Sequence, residues 1–365
     1  MRRSAVNRAV LTLAAAGVLV AGCSGEENVH GATTAESGPC AGNAALTAEG
    51  STSQQNQMAL FNQAWARACP GKNLSYSATG STAGIEQFIA GKVDFAGSDA
   101  PLPAERAAAA TTRCDGNPAW HLPLVFGQVV MAYNLDEVDD IVLNADVLAR
   151  IFTGAITGWN DPAIAALNPG VELPDAKVAP VYRSDSSGTT DNLQQYLTVA
   201  APQSWTKGAG TDFRGDAGEG AAKTAGVVQA VRMTPGAIGY VEKGFGDQSG
   251  LRFARIDTGG GAVAATDRTA AAAIDAATFT SGDGNDLRLD MNSLYGTRVA
   301  GSYPLVQASY EIVCSKGYDP DVAAALKSFL TIAAGSGQDE LAQAGYIALP
   351  ERFKQRLIAA IDAIQ

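Results

Sequence analysis

The chain has 365 residues and a net charge of −11, with 26 Lys and Arg against 37 Asp and Glu. The acidic residues are spread out and no basic cluster follows the first few positions, which excludes nucleic acid as a partner, because binding a phosphate backbone needs a basic patch. With only His30 and His121, and no cysteine pair at metal-ligand spacing, neither a zinc site nor another resident cofactor is expected.

Arg2, Arg3 and Arg8 come first, then an uncharged apolar run over residues 9–20, then Ala21, Gly22 and Cys23. Basic residues, a short apolar stretch and small residues in that order make an export signal. The run is too short for a comfortable membrane span. Val20-Ala21-Gly22-Cys23 resembles the bacterial lipobox, whose cysteine is acylated and becomes the new N-terminus. Residues 1–22 are therefore expected to be removed and Cys23 to be a lipid anchor. A polar, Gly- and Ala-rich stretch without periodicity follows, so residues 23–44 are expected to form the lipidated end and a flexible tether. What remains, roughly 320 to 340 residues, favours two lobes and a cleft over a single core. Outside the membrane thiols oxidise, so Cys40, Cys69, Cys114 and Cys314 are expected to form two disulfides. Three pairings are open; Cys69 with Cys114 and Cys40 with Cys314 are preferred here.

Along the body, short apolar segments alternate with helical ones. Residues 45–46, 74–78 and 93–96 read as strands, and 53–69 and 83–90 as helices. This is an α/β rhythm, expected to give mostly parallel sheets flanked by helices. The long apolar stretch 122–133 is placed to leave one lobe and enter the other. Helices are expected at 146–152, 193–197, 267–277, 321–334 and 351–364, and strands at 178–182 and 305–313.

Three clusters of Gly and hydroxyl residues each follow a strand and precede an amphipathic helix: Gly50-Ser51-Thr52-Ser53, Thr79-Gly80-Ser81-Thr82-Ala83-Gly84 and Ser186-Ser187-Gly188-Thr189-Thr190. Each is a helix N-terminus, where free N–H groups, the positive dipole end and a hydroxyl suit an anion. Ordinary N-capping explains any one of them. Three on the carboxyl side of successive strands point to a ligand edge. Arg183 stands just before the third cluster, and its guanidinium offers paired donors to a tetrahedral oxyanion. Asp185 is placed to orient it. Asp99 follows a strand and precedes a proline turn. By itself it is a turn residue. In an anion cleft it would repel the ligand unless the ligand carried a proton, which phosphate does and sulfate at neutral pH does not.

Other patterns fail. Gly84 to Lys92 lacks P-loop spacing, Gly244-Phe245-Gly246 lacks the third glycine of a dinucleotide turn, and no Gly-x-Ser-x-Gly elbow exists. A secreted phosphoester hydrolase would rest on His121, which reads as structural.

The segments Val93 to Leu102, Trp159-Asn160-Asp161-Pro162 continuing to Leu167-Asn168-Pro169-Gly170, Arg183 to Thr190, and Pro235-Gly236-Ala237-Ile238-Gly239-Tyr240 resemble, in this order, the substrate-binding lipoproteins of the bacterial phosphate-specific ABC transporter. The resemblance runs from about Leu46 to the C-terminus. It implies a two-lobe periplasmic-binding-protein fold of type II, with a hinge and a ligand cleft. Lobe I would comprise residues 45–132 and 302–365, and lobe II residues 133–301. It further implies a non-enzymatic, monomeric protein that binds inorganic phosphate and delivers it to membrane permease subunits. Another oxyanion, sulfate or molybdate, is the alternative ligand. Thr52, the backbone of Ser53, Ser81 and Asp99 would supply one lobe's contacts, and Arg183, Ser187, Gly188 and Thr189 the other's, with Asp185 bracing Arg183. The first cluster departs from the family: Glu49 precedes Gly50, and Ser53-Gln54-Gln55-Asn56 follows Thr52.

Overall fold

Twelve strands carry the architecture in a computed structural model that describes residues 38–365 apart from 137, 276, 281, 283, 298, 344 and 345. The export signal, Cys23, His30 and most of the expected tether lie outside the described residues. The strands are β1 (Ala45–Gly50), β2 (Asn73–Ala78), β3 (Phe95–Ser98), β4 (Ala119–Tyr133), β5 (Val142–Asn144), β6 (Ala179–Arg183), β7 (Glu219–Ala221), β8 (Ala237–Glu242), β9 (Arg252–Phe253), β10 (Arg255–Asp257), β11 (Ala262–Val263) and β12 (Val306–Cys314).

One nine-stranded sheet runs in the order β2-β1-β3-β12-β4-β8-β6-β7, with β9 beside β4, and a small sheet holds β11-β10-β5. The sheets are mixed, not mostly parallel as expected. β1 pairs in parallel with β2 and β3, and β6 with β7 and β8. β12 is antiparallel to β3 and β4, and β4 to β8. The cause is connectivity. The chain leaves the first half of the sheet along β4, whose residues up to Gln128 pair with β12 and whose residues from Val129 pair with β8. It returns at the end as β12, so the two crossing strands run in opposite directions. β12, the strand expected at 305–313, thus lies beside strands from early in the chain. β4 is apolar apart from His121 and Gln128 because both its faces are covered, its residues from His121 on being buried.

Helices pack on these strands as their apolar stripes require. The helix Gln55–Ala68 buries Met58, Phe61, Ala64 and Trp65, at helical spacing. Trp65 meets Phe329 edge-on, and Phe329 stacks on Phe95 of β3. Each such fully buried ring contributes on the order of 1.5 to 3 kcal/mol through area removed from water.

The disulfides are Cys40–Cys69 and Cys114–Cys314, with Cα separations of 5.4 and 5.2 Å. The preferred pairing was therefore wrong. Cys69 ends the helix Gln55–Ala68, against which the chain entering β1 is laid. Cys114 ends the helix Ala107–Arg113, whose chain enters β4 at Ala119, directly opposite Cys314 on β12. Residues 38–44, included in the expected tether, are fixed to the body. Beyond the disulfide, Ser328 donates to the Pro39 carbonyl (2.6 Å), and Asn43 N–H to the Asp321 carbonyl (3.0 Å).

In a chain-entropy treatment the bond spanning 200 residues restrains the unfolded chain by about 5 kcal/mol, and the one spanning 29 by about 4. A Cys114→Ser/Cys314→Ser variant is expected to lose more thermal stability than Cys40→Ser/Cys69→Ser. Non-reducing peptide mapping is expected to recover both observed linkages; a Cys69–Cys114 peptide would overturn them.

Candidate functional site

The three Gly and hydroxyl clusters meet at one place. The loop after β1 feeds the helix Gln55–Ala68, the loop after β2 the helix Ser81–Ile89, and the loop after β6 the helix Gly188–Ala200, capped by the Ser187 side chain. β1, β2 and β3 run in parallel, so their loops, including the one carrying Asp99, emerge at the same edge. Thr52, Ser53, Ser81, Asp99, Arg183, Ser187 and Thr189 are each at most 3% exposed.

Asp99 lies at the centre. One carboxylate oxygen accepts from the hydroxyls of Ser51 and Ser53 (2.8 Å from Ser53), with Thr189 Oγ1 at 3.5 Å. The other accepts from Ser309 at 2.7 Å. Among the described residues its charge is held by neutral donors and no cation pairs with it. The backbone N–H of Asp99 and that of Gly188 both donate to Ser81 Oγ, each at 3.2 Å. That oxygen is filled as an acceptor, and its own proton is left to donate. Asn192 ties the same two loops through the carbonyls of Asp99 (2.6 Å) and Gly188 (2.8 Å).

Arg183 faces this group from the other half of the sheet. Its Nε and Nη2 donate to the two oxygens of Asp185, and Nη1 reaches Thr224 Oγ1 at 3.4 Å. Its backbone N–H donates to the Tyr240 hydroxyl (3.0 Å). Burial pushes the Asp185 carboxyl up, but the hydrogen bond and charge of Arg183, with the Lys223 N–H, hold it below the ordinary range. Thr52 Oγ1 meets Thr224 Oγ1 at 2.8 Å across the cleft.

The structure thus gathers every expected site residue, Asp185 included as the brace of Arg183. Glu49 stays on β1, where its carboxylate accepts from the Thr79 hydroxyl at 2.7 Å. His121 makes no hydrogen bond to the hydroxyl ring among the described residues: Nε2 accepts from the Leu102 N–H (2.8 Å) and Nδ1 contacts Asp286 (2.6 Å). Its role is to hold a loop. Ser51, Asn192, Thr224, Tyr240 and Ser309 were not expected. A signal for Ser309 existed. Gln307, Ser309 and Glu311 alternate with apolar residues on β12, and this polar face is wholly buried, where an ordinary alternating strand turns it to water.

A family model described as "PBP superfamily domain" matches residues 29–335. The chain is 46% identical over 371 residues to "Phosphate-binding protein PstS 3" of Mycobacterium tuberculosis (strain ATCC 25618 / H37Rv), covering 100% of both chains. It is 43% identical over 367 residues to "Phosphate-binding protein PstS 2" of the same strain, covering 98% of each. The solved structure "Phosphate-Binding Protein from Stenotrophomonas maltophilia" superposes with a TM-score of 0.65 at 20% identity, over 87% of this chain and 94% of that one, which speaks for the fold.

Behind the hydroxyl ring lie buried carboxyls. Glu311 is fully buried; one of its oxygens has no hydrogen-bond partner among the described residues, and the other lies 3.2 Å from the Gln54 amide when that amide points its NH2 toward it. Burial, then the charge of Asp99, push Glu311 well above the carboxylate range. Glu242, which caps the helix Lys243–Gln248, is pushed up to about 8 by burial, against hydrogen bonds from Gly244 and Phe245 N–H. The folded protein therefore keeps a proton that the unfolded chain releases near 4.5. Stability from this group is complete below that pH and is lost as pH rises through about 8. Glu242→Gln should bring the urea-unfolding free energies at pH 5 and pH 8 closer together than in the parent. Equal pH dependence in the two proteins would refute this.

Proposed function

We propose that this chain, which belongs to the PBP superfamily and within it to the phosphate-binding proteins it matches from end to end, binds inorganic phosphate outside the cell membrane and delivers it to the permease of an ABC transporter. The observation that carries the choice of ligand is the charge balance of the cleft. Arg183 is matched by Asp185, whereas Asp99 is matched by no cation among the described residues. An anion entering such a site is repelled unless it brings a proton to the carboxylate, and phosphate carries one. Ser81, Thr189, Ser187 and the N–H groups at the helix starts supply neutral donors, which strengthen in a closed and desolvated cleft. No bond is made or broken, in keeping with a family of binding proteins.

The halves of the body act as lobes, residues 45–132 with 302–365 and residues 133–301. The passage of β4 from one half to the other at Gln128 and Val129 supports a hinge there. Ser53 contributes through its backbone N–H, which here donates to Ser51 Oγ (3.1 Å). Cys23, outside the described residues, anchors the exported monomer to the outer face of the membrane through its lipid, within reach of the permease.

Calorimetry on the purified chain is expected to give a phosphate dissociation constant of roughly 1 μM or tighter, about 8 kcal/mol of binding. Sulfate should bind about 10⁴-fold more weakly, because it leaves the Asp99 acceptor unpaired. Asp99→Asn should close most of that gap; tight sulfate binding by the parent would sink the argument for a protonated ligand. Closure makes its own demand on Gly188, where an added Cβ would lie 2.7 Å from Ser81 Oγ and 2.8 Å from Asp99 Cβ. Gly188→Ala should weaken phosphate binding at least about tenfold and leave the ligand-free melting temperature nearly unchanged. Full affinity in that variant would show that the lobes do not approach this closely.

A further inference from the structure

We propose that Thr224 is a positioning residue for phosphate: its hydroxyl passes the polarity of Arg183 across the cleft and turns Thr52 into an obligatory donor toward the anion. This rests on the phosphate-binding function above and assigns it a residue outside the three clusters.

Thr224 stands in the first turn of the helix Lys223–Met233 and is 3% exposed. Its Oγ1 lies 2.8 Å from Thr52 Oγ1 and 3.4 Å from Arg183 Nη1, and its N–H donates to Thr52 Oγ1 at 3.2 Å. A guanidinium only donates, so toward Arg183 the Thr224 oxygen is an acceptor. Accepting from a cation draws density from that oxygen and makes its own proton the better donor of the hydroxyl pair. Thr224 therefore donates to Thr52. Thr52 Oγ1 then accepts twice, from the N–H and from the O–H of Thr224, and both its lone pairs are used. Its own proton has no route back and is left for an anion oxygen. The order is Arg183, Thr224, Thr52, ligand.

The backbone around Thr224 is arranged for this. Lys223 has φ +62, a left-handed conformation uncommon for residues other than Gly, Asn and Asp. It is secured at both ends: its N–H donates to Asp185 Oδ1 (2.7 Å), and its Nζ to the Ala78 carbonyl at the end of β2 (2.8 Å). The same two residues thus touch Arg183's brace in one half of the sheet and both Thr52 and Ala78 in the other. The chain of hydroxyls is complete only when the halves are together.

Thr224→Val keeps the shape and the backbone N–H and removes the hydroxyl, and Thr224→Ser keeps the hydroxyl. Measured by calorimetry with inorganic phosphate on the full chain, Thr224→Val is expected to bind about tenfold more weakly or worse. Thr224→Ser should stay within about threefold of the parent. If Thr224 acts through Thr52, Thr52→Val/Thr224→Val should be little weaker than Thr52→Val alone, since residues in one chain of hydrogen bonds do not add. Parent-like affinity in Thr224→Val, equal losses in the Val and Ser variants, or full additivity in the pair would each overturn the proposal. Failure of the parent chain to bind phosphate would overturn the underlying function instead.

Discussion

Asp99 is a buried carboxylate whose charge is matched, among the described residues, by neutral donors alone, most of them hydroxyls, and the rest of the site is built around supplying them. Removing a carboxylate from water is costly unless its lone pairs are filled, and each hydrogen bond to a charged group recovers on the order of 1.5 to 3 kcal/mol. The donors come from separate stretches of chain: Ser51 and Ser53 from the loop after β1, Ser309 from β12, and Thr189 at longer range from the helix after β6. A cation there would satisfy Asp99 better and would also make the cleft attractive to any anion. In the function proposed above, neutral donors leave the carboxylate hostile to ligands that bring no proton.

That requirement explains why β12 returns to the middle of the sheet. Only a strand lying between β3 and β4 places Ser309 beneath Asp99, with Gln307 reaching Ser53 Oγ (3.1 Å) and Glu311 behind Gln54. Close approach is needed at several points, and glycines allow it. A Cβ at Gly50 would lie 1.9 Å from the Gly97 carbonyl, and one at Gly188 would strike Asp99. The Cys114–Cys314 bond secures the opposite end of the β4–β12 pair. The pair is thus tied at the end away from the crossing at Gln128 and Val129, where the proposed hinge lies.

Much of this was legible in the chain itself. Strand, Gly-hydroxyl loop and amphipathic helix recur three times, and a local pattern of that kind reports helix starts wherever they end up in space. Arg183 and Asp185 are two residues apart, so their pairing is local too. Asp99 could be singled out as a candidate selectivity group once an acidic chain was asked to hold an anion, and the structure places it buried among hydroxyls. The α/β class followed from the alternation of short apolar runs with helical ones.

Other features depend on contacts between residues far apart in sequence. Thr224 sits 172 residues from Thr52, and Ser309 lies 210 residues from Asp99, so nothing local links them. The disulfide pairing failed for the same reason: partners are chosen by which chain ends the sheet brings within about 5 to 6 Å, and spacing in sequence carries no such distance. Sheet direction was misjudged because parallel pairing inside each half says nothing about the two strands that join the halves. By itself the sequence determined local conformation, the chemical kinds of donor and acceptor, and the residues that start each helix. Only the tertiary structure decided which of those groups face one another, since hydrogen bonds act over about 3 Å and the fold alone sets distances on that scale.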